Sequence, residues 1–226
     1  TQAPLSTPEP GTEQNPLILA LAPNPHPNDA IISAGDVLAA FIEKQTGYRV
    51  VTVIPASEEA LVNDLAKGNA HIASLTPYAF VLAHENGSVT ALLARVRNGE
   101  MFYGAQILIN RENVFTAYYD EERAENSTDA VTALKQFEDK KPCWSDETSP
   151  SGYVVPLGVL NQAQVTTRAG AFLEGQPNVV RGVYAADICD FGATFVDART
   201  SPILEADYPD VMDKVRIAWR IPEIIP

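Results

Sequence analysis

The chain has 226 residues, of which 46 % are hydrophobic and 20 % charged, which supports folded cores and leaves room for two domains. Its 16 basic residues face 29 acidic ones, a formal charge of −13 with no basic cluster to offset it, which excludes nucleic acid and anionic membrane surfaces as partners. No stretch approaches the roughly 20 apolar residues of a membrane span. A small anion is not excluded, because backbone N–H groups and hydroxyls can hold one inside an acidic protein. The two cysteines, Cys143 and Cys189, lack CxxC spacing, and only His26, His71 and His84 accompany them, so no metal site is predicted. Two lone cysteines fit one disulfide in an oxidising compartment or two buried thiols.

Residues 1–16 hold four prolines and almost no large apolar groups, the composition of a flexible tether. No signal peptide is visible. The opening Thr-Gln-Ala-Pro reads as a processed or trimmed start, or as an ordinary frayed terminus. Regular signals begin at Leu17. Residues 17–22 predict a strand, and the turn-rich loop around Asn24 follows. A helix over 30–45 is ended by Gly47, and 49–54 predicts a strand. Ser57 opens a helix that runs to Ala66 and is closed by Gly68. A strand over 70–75 leads to Thr76-Pro77, which caps a helix ending near Asn86-Gly87. Three strand–helix repeats predict a mainly parallel sheet with helices on its faces. Ligands of such sheets sit beyond the carboxyl ends of the strands, at the loops near Asn24, Ser57 and Thr76.

Residues 89–96 and 102–110 read as strands, as a hairpin or as a crossing between domains. A helix is predicted over 126–137, a strand over 141–145 and a helix over 154–162. A strand over 165–171, a helix over 177–186 and strands over 190–196 and 215–221 complete a second α/β unit.

Three stretches carry chemistry. In the first, a predicted strand runs from Cys143-Trp144-Ser145 into Thr148-Ser149-Pro150-Ser151-Gly152-Tyr153 and then into a helix. Unpaired N–H groups at a helix start, added hydroxyls and a glycine that admits close approach make a cradle for a tetrahedral oxyanion. A plain N-cap role for Ser149 or Ser151 is the competing reading. The second, Ser74-Leu75-Thr76-Pro77-Tyr78, repeats the design, with Tyr78 facing a ligand or simply packing. The third, Asp190-Phe191-Gly192-Ala193-Thr194-Phe195-Val196-Asp197, ends a strand on a carboxylate. Asp197 either meets a ligand, or caps a helix or pairs with Arg199.

With these three stretches the sequence resembles the phosphonate, phosphite and phosphate substrate-binding proteins of ABC importers. Their "G-x-x-D-I-A-x-x-x-P-Y-x-Y" segment corresponds to Gly68 through Phe80, with His71 at the Asp position, read as structural. Their "S-T-S-G-Y-x-x-P" corresponds to Ser149 through Pro156, and their "D-x-G-A-x-x-x-D" to Asp190 through Asp197. The resemblance implies an α/β fold of the type II periplasmic-binding-protein kind, with two lobes closing over a ligand cleft. Residues 17–99 and 216–226 would form lobe I, 100–215 lobe II, with hinges near 97–103 and 215–221. It implies that Ser149, Ser151, Gly152 and Tyr153 hold the anionic head. Tyr78 and Tyr103 would close over it, and Thr76 and Asn24, in the loops beyond the first sheet's strands, are further candidate ligand residues. Asp197 would meet a hydroxyl, a protonated oxygen or an amine. Gln176 stands where the family's histidine is usual and supplies a neutral donor. Pro150 removes one N–H and one hydroxyl from the triplet, which leaves room for a monoanion or another oxyanion.

In such a lobe the strands of Cys143 and Cys189 are neighbours, which implies a disulfide. The resemblance further implies no cofactor, no catalysis, a monomer, a membrane permease as partner and an extracytoplasmic location, with lipid anchoring through the tether. Family members continue with helices after the last strand, whereas this chain stops at Pro226. Either the fragment is trimmed or this variant lacks those helices, and a first lobe without them would invite an oligomer or partner contact. The runner-up reading is a binding-protein-like module repurposed for sensing or interaction. An enzyme finds no support in a G-x-S-x-G elbow, a P-loop or HExxH.

Overall fold

The computed structural model describes residues 8–22, 29–96 and 99–226. The chain divides into two compact units, Thr1–Leu92 and Leu93–Pro226. Asn24 and residues 97–98 of the expected hinge lie outside the described residues.

The first unit alternates β1 (Leu17–Ala20), α1 (Asp29–Thr46), β2 (Val50–Val53), α2 (Glu58–Lys67), β3 (Ile72–Ala73) and α3 (Pro77–Glu85). Its sheet has the order β2-β1-β3, with both pairings parallel. The helix starts follow local chemistry. Ser57 Oγ accepts the Ala60 N–H at 3.1 Å, and Gly68, at φ 73°, turns the chain out of α2. Leu61, Val62 and Leu65 then fall on the buried side of α2, and Leu61 and Leu65 pack with Ala20. On the other sheet face Ala39 of α1 packs with Leu19 and Val50. Of the expected tether, the described part is tied down: Gly11 O accepts the Arg49 N–H at 2.7 Å.

The second unit contains β4 (Tyr103–Asn110), a small hairpin of β5 (Tyr119–Asp120) and β6 (Glu125–Asn126), and α4 (Ala130–Leu134). It continues with β7 (Pro142–Trp144), α5 (Val155–Gln162), β8 (Ala171–Phe172) and α6 (Gln176–Ala185). β9 (Phe191–Phe195), α7 (Pro202–Asp207), α8 (Val211–Lys214) and β10 (Val215–Ile225) complete it. Its sheet has the order β10-β4-β9-β7-β8. β10–β4 and β4–β9 are antiparallel, while β9–β7 and β7–β8 are parallel, so this sheet is mixed rather than mainly parallel. Alternation along β4 sends Ala105, Ile107 and Ile109 into a core with Phe137, Leu160 and Trp219. Leu108 enters the opposite core with Val179 and Val183 of α6. A disulfide joins Cys143 to Cys189, with Cα atoms 5.6 Å apart.

Several expected elements differ. Residues 216–226, expected in lobe I, belong to β10 and pair with β4, which puts them in the second unit; 215–221 is therefore a strand within one unit, not a crossing. Residues 89–96 carry a strand-like pattern but form no strand, and Leu93 is 94 % exposed. The helix expected from Asn126 starts at Ala130, because the Asn126 side chain is drawn into pairing with Arg220: Nδ2 donates to Arg220 O at 2.7 Å and Oδ1 accepts Arg220 N at 2.9 Å. Of 165–171, only the last residue enters β8, since ladder pairing with β7 begins at Ala171.

Candidate functional site

The second sheet gathers four chain segments at one end. β7, β8 and β9 are parallel, so their carboxyl ends lie together, and the antiparallel β4 begins there with Tyr103. β7 delivers Ser145 and the loop to Ser149. β8 delivers Gln176 at the start of α6, and β9 delivers Asp197.

After Ser149 the chain makes a wide turn, Pro150–Val154, before α5. The Tyr153 and Val154 N–H groups both donate to Ser149 O, at 3.1 and 2.9 Å. Pro150 occupies the first position of this turn, where its missing N–H leaves no bond unmade. Ser149 Oγ accepts the Gly152 N–H at 3.1 Å and Gln176 Nε2–H at 3.1 Å. Gln176 Nε2 also donates to Ser145 Oγ at 3.3 Å, and Gln176 Oε1 accepts the Phe195 N–H at 3.1 Å. Only glycine fits at 152: a Cβ there would stand 2.0 Å from Ser145 Oγ and 2.8 Å from Gln176 Nε2. Ser151 is 3 % exposed, and its hydroxyl has no hydrogen-bond partner among the described residues. Tyr153 is half-buried, edge-on between Trp144 and Phe172 with ring centroids at 5.5 and 5.0 Å. The cluster thus presents hydroxyl donors on a rigid floor. It can hold an acceptor-rich, tetrahedral group without any formal positive charge.

Asp197 lies in a second cluster. Its Oδ1 accepts Gln106 Nε2 at 2.8 Å, Arg199 N at 3.0 Å and Arg199 Nε at 3.1 Å. Its Oδ2 accepts Arg199 Nε at 3.1 Å and Nη2 at 2.7 Å. The guanidinium, on a residue 1 % exposed, also meets both oxygens of Glu121 at 3.1 and 2.8 Å and Val215 O at 2.9 Å. Every donor of Arg199 is occupied, so it offers none to a ligand. Burial works against the ionised Asp197 carboxyl, but the Arg199 and Gln106 hydrogen bonds outweigh it and hold the group below its ordinary value. Burial likewise opposes the Arg199 charge, and Asp197 and Glu121 more than offset it, raising its pKa. Gln106 Oε1 is buried without a partner.

In the first unit, Thr76 Oγ1 caps α3 by accepting the Ala79 N–H at 3.2 Å, and it donates to Glu58 Oε1 at 2.8 Å. Tyr78 follows, half-buried on the first turn. This hydrogen bond links the carboxyl ends of β2 and β3, on either side of β1, where a parallel sheet of this order has its switch point. His71 Nδ1 accepts the Ile18 N–H at 3.0 Å, a bond to the neighbouring strand. The structure therefore brings Ser149, Ser151, Gly152 and Gln176 together, groups Asp197 with Arg199, and places Thr76 and Tyr78 side by side in the other unit.

Sequence reasoning passed over Ser145, Gln106, Glu121 and Glu58. A lone Gln in the apolar run Tyr103-Gly104-Ala105-Gln106-Ile107-Leu108 was a legible signal. Glu121 reaches Arg199 across 78 positions, and no local pattern announces that.

The family model of the ABC transporter, phosphonate, periplasmic substrate-binding protein matches residues 23–226. The phosphate-import protein PhnD of Mycolicibacterium smegmatis is 28 % identical over 191 residues, or 80 % of this chain. The chain spans 56 % of that relative's length. Among solved structures, PhnD1 of Prochlorococcus marinus in complex with methylphosphonate is similar with a TM-score of 0.63 at 16 % identity, over 93 % of this chain and 75 % of that one. A Xanthomonas citri protein bound to chloride gives a TM-score of 0.68 at 19 % identity, over 91 % and 73 % of the two chains.

Proposed function

This chain belongs to the family of periplasmic phosphonate substrate-binding proteins of ABC transporters, with their type II α/β fold, and from that membership we propose that it captures a small tetrahedral oxyanion for import. The ligand class is phosphonate, phosphite or phosphate. In this reading Ser149, Ser151, Gly152 and Tyr153 hold the anionic head. Gln176 supports them, and Asp197 lies nearby as a paired carboxylate. Tyr78, Thr76 and Asn24 of the first unit, with Tyr103, meet the rest of the ligand as two lobes close. Delivery is to a permease, outside the cytoplasm.

One observation carries the reading. Ser151 stands at the start of the wide turn, a 3 % exposed residue whose hydroxyl has no protein partner and is not sealed from solvent, beside a Ser149 hydroxyl whose two lone pairs are already filled. A hydroxyl without a protein partner, at a turn otherwise buried, is open to a polar ligand. Neutral donors suit an anion here, because the nearby buried cation is fully engaged elsewhere. They also suit a protein of net charge −13, whose field does not attract anions at long range.

The test is calorimetric titration with methylphosphonate, phosphite, 2-aminoethylphosphonate, phosphate and sulfate, on protein unfolded and refolded to remove carried-over ligand. One phosphorus oxyanion is expected to bind, and at a thousandfold excess over Kd it adds about 4 kcal/mol of stability. Ser151→Ala is expected to weaken that binding about tenfold or more, the worth of one hydrogen bond to a charged group. Folded protein that binds none of the five ligands overturns the oxyanion assignment.

A further inference from the structure

The geometry points to Gln176 as a positioning residue that makes Ser149 a donor-only hydroxyl, so that a hydrogen-bond acceptor, best an ionised oxygen, is required at that point of the cradle. This rests on the oxyanion reading above. The Phe195 N–H is always a donor, and it points at Gln176 Oε1 at 3.1 Å. That fixes which way the amide faces, since the reversed amide would set two donors against each other. Gln176 Nε2 must then face the serines, and its two hydrogens serve Ser149 Oγ at 3.1 Å and Ser145 Oγ at 3.3 Å.

A hydroxyl has two lone pairs and one proton. The lone pairs of Ser149 Oγ are filled by Gln176 Nε2–H and by the Gly152 N–H. Its proton is left to be donated, and no described residue accepts it. Ser149 therefore offers a ligand a hydrogen and no acceptor. An ionised oxygen satisfies it best; a protonated oxygen or a ligand hydroxyl accepts only by turning its own hydrogen away, and an ammonium N–H, which has no lone pair, meets it donor to donor. Ser151 is not constrained in this way, because its hydroxyl has no partner among the described residues and can donate or accept. The cradle thus distinguishes two positions on the ligand: an accepting oxygen at Ser149, and an accepting or a donating group at Ser151. A ligand carrying one proton can donate it at Ser151 and not at Ser149.

The test is a double-mutant cycle on Kd for methylphosphonate, with a pH profile. Gln176→Met fills similar volume without the amide. It is expected to weaken binding about tenfold in the wild-type background and less than about twofold in Ser149→Ala, because its effect passes through Ser149. Gln176→Glu keeps the shape and reverses the polarity, since an ionised carboxylate accepts the Ser149 proton. Binding to that variant is expected to fall about a hundredfold near neutral pH. It should recover toward the wild-type value as pH drops through the glutamate range, about 4 to 5, where the protonated carboxyl donates as the amide did. Equal losses from Gln176→Met in both backgrounds, or a Gln176→Glu deficit independent of pH, overturn the inference. If the wild type itself binds no methylphosphonate, phosphite or phosphate, the oxyanion reading falls first, and this inference with it.

Discussion

Replacing Arg199 with methionine is expected to destabilise the second unit by roughly 3–5 kcal/mol. The guanidinium sits 1 % exposed between the carboxylates of Asp197 and Glu121. Removing it leaves Asp197, itself largely buried, with only Gln106 Nε2 and the Arg199 main-chain N–H as donors. A buried charge that loses its partner pays the full cost of desolvation, which is why breaking such a pair is far worse than never having had it. Two contrasts make the result specific. Glu121→Gln should cost within about 1 kcal/mol, because the Glu121 side chain is half exposed and water replaces the lost contact. The triple change Arg199→Met, Asp197→Leu, Glu121→Leu should recover most of the loss, since no charge is left stranded. Denaturant unfolding followed by tryptophan fluorescence reads all three, and a single Arg199→Met change that leaves the midpoint in place contradicts this account of Asp197. The same pair sets an acid limb. The folded-state pKa of Asp197 lies below its ordinary 3.8, so its stabilisation is complete above about pH 4 and is lost as pH falls further, through the lowered value.

Reducing the Cys143–Cys189 disulfide is expected to cost about 4 kcal/mol, from the chain entropy released by opening a loop with a sequence separation of 46. In a protein of this size that lowers the melting temperature by about 10 °C. The bond has a local consequence as well. Cys143 lies in β7 two residues before Ser145, and Cys189 lies two residues before β9, which leads to Asp197. It holds together the two strands that feed the candidate site. The double variant Cys143→Ala, Cys189→Ala should show the same loss and should no longer respond to reductant. A variant that melts with the oxidised wild type would remove the disulfide from the list of stabilising features.

The legible parts of the fold were those written in neighbouring residues. Ser57 with Gly68, and Thr76 with Pro77, mark helix ends by chemistry within a few positions; α2 begins and ends where the first pair stands, and α3 begins where the second does. The illegible parts depend on partners far along the chain. Residues 89–96 have a strand's composition and form no strand, while 216–226 have a partner in β4, more than 100 positions earlier. A pattern of period two reports that a segment could join a sheet and says nothing of which sheet. The candidate site divides in the same way. Ser149, Ser151 and Gly152 are visible because a strand runs into a helix start with hydroxyls and a glycine. The orientation of Gln176 toward Ser149 and Ser145 is not, because it follows from β8 and β9 both lying beside β7. Asp197 and Arg199, two positions apart, were open to pairing from sequence. The third member, Glu121, came from a separate hairpin.

The most direct measurement is a crystal structure of the protein grown with saturating methylphosphonate. The account predicts a tetrahedral ligand with oxygens about 3 Å from Ser149 Oγ and from the Ser151 hydroxyl and N–H, and with Arg199 still engaged by Asp197 and Glu121. A bound methylphosphonate that leaves Ser149 and Ser151 untouched, or that draws Arg199 away from its carboxylates to neutralise it, contradicts an oxyanion site built from neutral donors.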